Sequence, residues 1–166
     1  MKHTISILCD NKPGVMTRIS GLFSRRGFNI ESLSVGTTEE PGKSRFTIVV
    51  HGDDSVLEQV RKQLQKLVHV IKVWDIKAEN IIEREHALVK IQVVPERRNE
   101  ILQILNVVNA RILDSSGEIW TLEITGGTTS VDSAINLLKP YNIVESIRTG
   151  RIALERGLGQ NGNTAK

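Results

Sequence analysis

The sequence predicts an α+β protein built from two βαββαβ units in tandem, with antiparallel sheets and helices on one face of each. Three observations predict it. Apolar residues switch between a period of two and a period near 3.6 in the same order twice along the chain. Gly, Pro, Asn and Asp fall between the periodic segments, where turns need them. The composition, 39% hydrophobic and 25% charged over 166 residues, is that of globular material long enough for two small domains.

The first strand, residues 3–9, carries Ile5, Ile7 and Cys9 in alternation. After DNKPGV at 10–15, the residues Val15, Met16, Ile19, Leu22 and Phe23 repeat at helical spacing until Gly27 ends the helix. Phe28, Ile30, Leu33 and Val35 form a strand that turns through residues 37–43 and returns with Phe46, Ile48 and Val50, which makes a hairpin. Asp53 and Asp54 can cap a second helix, whose apolar stripe is Val56, Leu57, Val60, Leu64, Leu67 and Val68. Val70, Ile71, Val73 and Ile76 close the unit as its fourth strand.

The order then repeats. Residues 87–94 read as a strand, 101–108 as a helix, and 112–115 with 119–124 as a hairpin about Ser116 and Gly117. Val131, Ala134, Ile135 and Leu138 make a helix, and residues 143–147 a last strand. The two halves share no obvious identity, so the architecture repeats and the sequence does not. These assignments give a first domain at 1–77, a linker at 78–83, a second domain at 84–156, and a tail at 157–166 whose Gly- and Asn-rich sequence has little to bury and is expected to be disordered. A βαββαβ sheet with both helices on one face leaves its other face and its edges to be covered, so a homodimer is expected.

Composition narrows the function. Residues 1–76 carry 11 Lys and Arg against 8 Asp and Glu, while residues 77–166 carry 11 of each, so the net charge of +3 sits in the first half. An excess of this size suits a solvated surface, a docking face for an acidic partner, or weak affinity for nucleic acid. A βαββαβ unit of pI near 9.2 keeps nucleic-acid binding as an alternative, but no aromatic RNP1 pattern is present and aromatics are 4% of residues. No apolar run approaches a membrane span and no signal peptide opens the chain, so a cytoplasmic protein is expected. Cys9 is the single cysteine, which excludes an internal disulfide. His3, His51, His69 and His86 are scattered without ligand spacing, so no metal site is expected. Trp74 and Trp120 lie in expected strands, where packing is the ordinary role. With no G-x-S-x-G, Walker A or dinucleotide fingerprint, no catalytic residue and no cofactor are expected on this chain.

The loop at 10–15 has two readings. Pro13 is preset for a first helical turn, Asn11 can cap it, and Gly14 leaves the backbone open, which together describe a well-made helix start. The same features describe an anion site, where a carboxylate gains about 0.3–1 kcal/mol from the helix end, rising to about 2 kcal/mol if partly buried. An α-amino acid fits that site, with Asp10 or the amide oxygen of Asn29 for its ammonium group and roughly 1.5–3 kcal/mol from burying a branched side chain. The resulting affinity, about millimolar to ten micromolar, suits a metabolite sensor. Arg18, Arg25 and Arg26 lie along the polar side of the first helix, for solubility and helix-end charge or for partner contact.

The run DNKPGVMTRISGLFSRRGFNIESLSV at 10–35, with SRFTIVV at 44–50 and LEQVRKQLQKLVHVIKV at 57–73, resembles the small regulatory subunit of acetohydroxyacid synthase, also called acetolactate synthase. The likeness continues more weakly through EREHALVKIQV at 83–93 to RTGRIAL at 148–154. The resemblance implies an N-terminal ACT domain and a C-terminal ferredoxin-like domain, with no catalytic centre. It implies a separate large catalytic subunit that carries thiamine diphosphate, a divalent metal such as Mg, and FAD. It further implies feedback inhibition by valine, or by leucine or isoleucine, bound where two ACT domains of a homodimer meet. On that basis Asn11 and Gly14, flanked by Asp10 and Val15, belong to one chain's loop, and Asn29 with Ile30 to the neighbour's strand. Cys9 and Asp10 stand where relatives often have a larger aliphatic residue and Glu, which bears on effector preference.

Overall fold

The computed structural model describes residues 1–157, apart from the side chain of Val56. The expected tail lies outside the described residues except for Gly157. Two compact units are present: Met1–Ile82 with residues 151–157, and Glu83–Gly150.

The first unit runs β1 (Lys2–Asp10), α1 (Val15–Arg25), β2 (Ile30–Thr37), β3 (Lys43–His51), α2 (Asp54–Leu64) and β4 (Val70–Asp75). Its sheet has the order β2-β3-β1-β4, so β2 and β4 are edges. The two-residue period of β1 sends Ile5, Ile7 and Cys9 to one face, where they meet Phe46, Ile48 and Val50 of β3, Val73 of β4, and Val15, Ile19, Leu22, Phe23, Val60 and Leu64 of the helices. Each large side chain here that is withdrawn from water, Ile5, Ile7, Phe23, Ile48 and Leu64 among them, contributes roughly 1.5–3 kcal/mol. Gly27, at φ 70°, turns the chain out of α1 as its position predicts.

Three expectations change. Helix α1 begins at Val15 with Gly14 as its cap residue and no side-chain cap bond, so Asn11 does not cap it and Pro13 sits in the preceding turn. The expected stripe of α2 stops short, because the helix ends at Leu64 and Val68 is exposed. The chain reverses there instead, through His69 at φ 73°.

The second unit runs β5 (Ile81–Gln92), α3 (Arg98–Val107), β6 (Arg111–Asp114), β7 (Ile119–Gly126), α4 (Thr128–Leu138) and β8 (Ile143–Arg148), with sheet order β6-β7-β5-β8. Its core joins Ala87, Val89 and Ile91 to Leu122 and Ile124 and to Ile101, Leu105, Val131, Ala134 and Leu138 from the helices. Strand β5 starts six residues before the expected position, because alternation in the run IIEREHALV already begins at Ile81. Residues 81–83 are therefore strand and not linker.

A ninth strand, β9 (Ile152–Glu155), pairs with β5 and was not expected. The second compact unit ends at Gly150, and the returning segment after it groups with the first. Gly150, at φ 76°, turns the chain. The Arg151 N–H then donates to Ser32 Oγ at 2.9 Å, its guanidinium donates to Thr4 Oγ1 at 3.0 Å, and the Arg156 N–H donates to the Asn80 carbonyl at 2.7 Å. Those bonds tie the returning segment to the first unit.

Candidate functional site

The loop between β1 and α1 is built from short-range turns. The Lys12 N–H donates to the Asp10 carbonyl at 3.0 Å and the Val15 N–H to the Lys12 carbonyl at 3.4 Å, with Gly14 between them at φ 82°. A residue with a Cβ is strained there, although no atom lies within 4 Å of where that Cβ would stand. Helix bonding starts with the Arg18 N–H donating to the Gly14 carbonyl at 3.1 Å. The backbone N–H groups of Gly14, Met16 and Thr17 have no protein acceptor among the described residues, and no acidic side chain occupies the first turn of α1. Unfilled donors at the positive end of a helix dipole favour a carboxylate.

Long-range bonds fix this loop in place. The Asn11 N–H donates to the Gly42 carbonyl at 2.8 Å, at the head of the β2–β3 hairpin, and the Asp10 N–H donates to the His69 carbonyl at 2.9 Å. The Asp10 carboxylate is fully engaged: Lys43 Nζ lies 2.9 Å from Oδ1 and His69 Nδ1 lies 3.0 Å from Oδ2. The hydrogen bond from Lys43, and after it that from His69, hold the Asp10 carboxyl below the usual carboxylate range. Beneath the loop, Cys9 is buried and its thiol donates to the Ser44 carbonyl at 3.5 Å; burial pushes its pKa up, as suits a packing residue.

The sequence-derived site residues do not converge within one chain. Asn11 and Gly14 are exposed in the loop, while the Val15 side chain is buried in the core and shapes the helix start from below. Asn29 is exposed and Ile30 half-buried at the other end of the sheet, because Ile30 pairs with Val50 whereas Asp10 pairs with Lys43. The eight residues of β2 separate the two groups by about 25 Å. Both groups border the β2 edge, where Val35 faces the helix side yet remains 48% exposed. Arg18, Arg25 and Arg26 are exposed on α1 and its cap, with no carboxylate partner among the described residues.

Sequence reasoning missed Lys43 and His69. They lie 33 and 59 residues from Asp10, and no local pattern links them to it. Among the described residues no His, Cys, Asp and Glu cluster could hold a metal ion, and no helix is long and apolar enough to cross a membrane.

Two βαββαβ units, the first with an exposed, amide-lined loop at the head of α1, define a protein of the ACT class, a fold of amino-acid-sensing modules. Residues 5–72 match the model of the AHAS small subunit-like ACT domain, and residues 84–157 match that of the small subunit of acetolactate synthase. A probable acetolactate synthase small subunit of Archaeoglobus fulgidus is 52% identical over 95% of this chain and 98% of its own length. The acetolactate synthase small subunit of Mycolicibacterium smegmatis is 44% identical over 93% of this chain and 91% of its own. The crystal structure of the acetolactate synthase small subunit of Thermotoga maritima superposes with a TM-score of 0.89 at 45% identity, covering 95% of this chain and 98% of that one. The chain belongs to the acetolactate synthase small subunit family.

Proposed function

We propose that this chain is a non-catalytic regulatory subunit that raises the activity of a large acetolactate synthase subunit and makes it sensitive to a branched-chain amino acid, most naturally valine. The thiamine diphosphate, divalent metal and FAD of the reaction belong to that partner, and this chain contributes an effector site and a coupling surface. One observation carries the reading: the amide-lined loop and the Asn29–Ile30 strand start lie at opposite ends of the same edge strand.

Two copies joined antiparallel along β2 bring one chain's loop to the other chain's Asn29, which resolves the separation. An effector carboxylate then receives the open amides of α1 beside Gly14 and Asn11, and its ammonium group meets the Asn29 amide oxygen of the partner copy. Ile30 contributes apolar contact. Asp10, with both oxygens engaged by Lys43 and His69, positions the loop and leaves the ammonium group to Asn29. Because the site spans two copies, the effector binds one arrangement of the dimer better than another, and that difference is what reaches the large subunit. A coupling of roughly 1–3 kcal/mol changes the partner's activity about 5- to 150-fold.

The test mixes the purified chain with its large subunit and measures acetolactate formation with and without valine, leucine or isoleucine. Stimulation without effector and its loss with one of the three is the expected result. A chain that neither stimulates nor sensitises the partner refutes the reading.

A further inference from the structure

The sheet face of the first unit that points away from α1 and α2 carries a second constellation. By register, Ser6 on β1 stands between Thr47 on β3 and Trp74 on β4, and Leu8 stands between Arg45 on β3 and Lys72 on β4. Arg45 reaches across β1, so that its Cζ lies 5.5 Å from the centre of the Trp74 ring, and Lys72 Nζ lies 5.8 Å from the same centre. Two cations are thus held against one indole.

Neither cation has a carboxylate partner among the described residues. The nearest acid by register on this face, Asp10, is taken by Lys43 and His69. Two polar atoms in the same group, Ser6 Oγ and Arg45 Nε, are also buried without a hydrogen-bond partner among the described residues. Ser6 is fully withdrawn from solvent. Arg45, Lys72 and Trp74 keep intermediate exposure, so they remain within reach. The exposed arginines of α1 lack this preorganisation: among the described residues they stack on no ring and leave no buried donor open.

We propose that the Arg45–Trp74–Lys72 face docks an acidic segment of the large catalytic subunit, whose carboxylate takes the fork of Arg45 and the ammonium of Lys72 while its apolar stem lies on the indole. A guanidinium already ordered on a ring gives up little freedom on binding, and a carboxylate matches its paired donors. The inference rests on the regulatory-subunit reading, because that reading supplies the partner. It assigns coupling to the outer sheet face and leaves the effector loop free to respond.

Association of the intact small subunit with the large subunit is measured by titration at several salt concentrations, for the wild type and for Arg45→Gln, Lys72→Gln and Lys72→Glu. Valine binding to each small subunit alone is measured alongside. Lys72 is on an edge strand and half-exposed, so its variants fold even where Arg45→Gln loses stability. Each neutralisation is expected to weaken association roughly tenfold and to flatten its salt dependence, with Lys72→Glu weaker again. Valine affinity stays within about twofold, since the two sites share no residue. Unchanged association in the Lys72 variants overturns the docking face while leaving the regulatory reading intact. A wild-type chain that does not associate at any salt concentration overturns both.

Discussion

Asp10 and His69 are joined twice: the Asp10 N–H donates to the His69 carbonyl at 2.9 Å, and His69 Nδ1 lies 3.0 Å from Asp10 Oδ2. One bond sets the backbone where β1 gives way to the loop, and the other orients the carboxylate that also holds Lys43. The β1–α1 loop is therefore braced from both sides of β1.

Loosening this brace should weaken the effector response without touching the open amides. Asp10→Asn and His69→Gly are the variants of choice, since glycine keeps the φ of 73° that His69 adopts. Each is expected to reduce effector coupling by about 0.5–2 kcal/mol, read as a rightward shift of the valine inhibition curve. Faster amide hydrogen exchange at residues 11–14 should accompany it.

The same carboxylate predicts a pH dependence. Its pKa is lowered in the folded chain, first by Lys43 and then by His69, so its stabilisation is present above the ordinary value of 3.8 and is lost as pH falls through the lower folded value. Thermal melts between pH 7 and pH 2 should show a shallower acid limb for Asp10→Asn than for the wild type. Identical limbs would contradict the clamp.

Complementation tests the shared effector site. Asn11→Ala and Asn29→Ala should each abolish tight valine binding alone. Co-expressed, they form mixed dimers in which one site combines the intact Asn11 of one chain with the intact Asn29 of the other. Random pairing restores about a quarter of the wild-type sites. Calorimetric titration that finds no restored sites places both residues in one chain's pocket, contrary to the about 25 Å between them.

Asp75 is half-buried with Oδ1 lacking a partner among the described residues, and burial, opposed by nearby His3, raises its pKa. For a carboxyl with a raised folded pKa, stability is fully present below the unfolded value and falls as pH rises through the folded one. Asp75→Asn should therefore stabilise the chain at pH 7 by about 1 kcal/mol, with the gain vanishing toward pH 3. Differential scanning calorimetry across that range checks it.

In the second unit, Arg148 bridges the buried Glu85 and Asp132, the latter at 2.6 Å. Arg148→Met leaves the Glu85 carboxylate without its cation and should cost about 3 kcal/mol in urea unfolding. Adding Glu85→Gln should recover much of that loss, because the amide needs no counter-charge.

Much of this was legible in the chain itself. The two-residue and 3.6-residue periods of apolar side chains fixed the order of strands and helices, since burial of one face is a local constraint written in spacing. Gly27 marked the end of α1 for the same kind of reason: a positive φ favours glycine. The family resemblance singled out Asn11, Gly14 and Asn29, but what holds them was not readable. Ion pairs such as Asp10 with Lys43 and His69 depend on which strands become neighbours, and neighbouring strands leave no periodic trace across 33 or 59 residues. The tertiary structure alone decided that the loop and Asn29 stand at opposite ends of the sheet. It also decided that Trp74 turns away from the core to lie under Arg45 and Lys72, and that the chain after Gly150 returns to Thr4 and Ser32. Sequence spacing sets which face a side chain presents, but only the fold sets what it meets there.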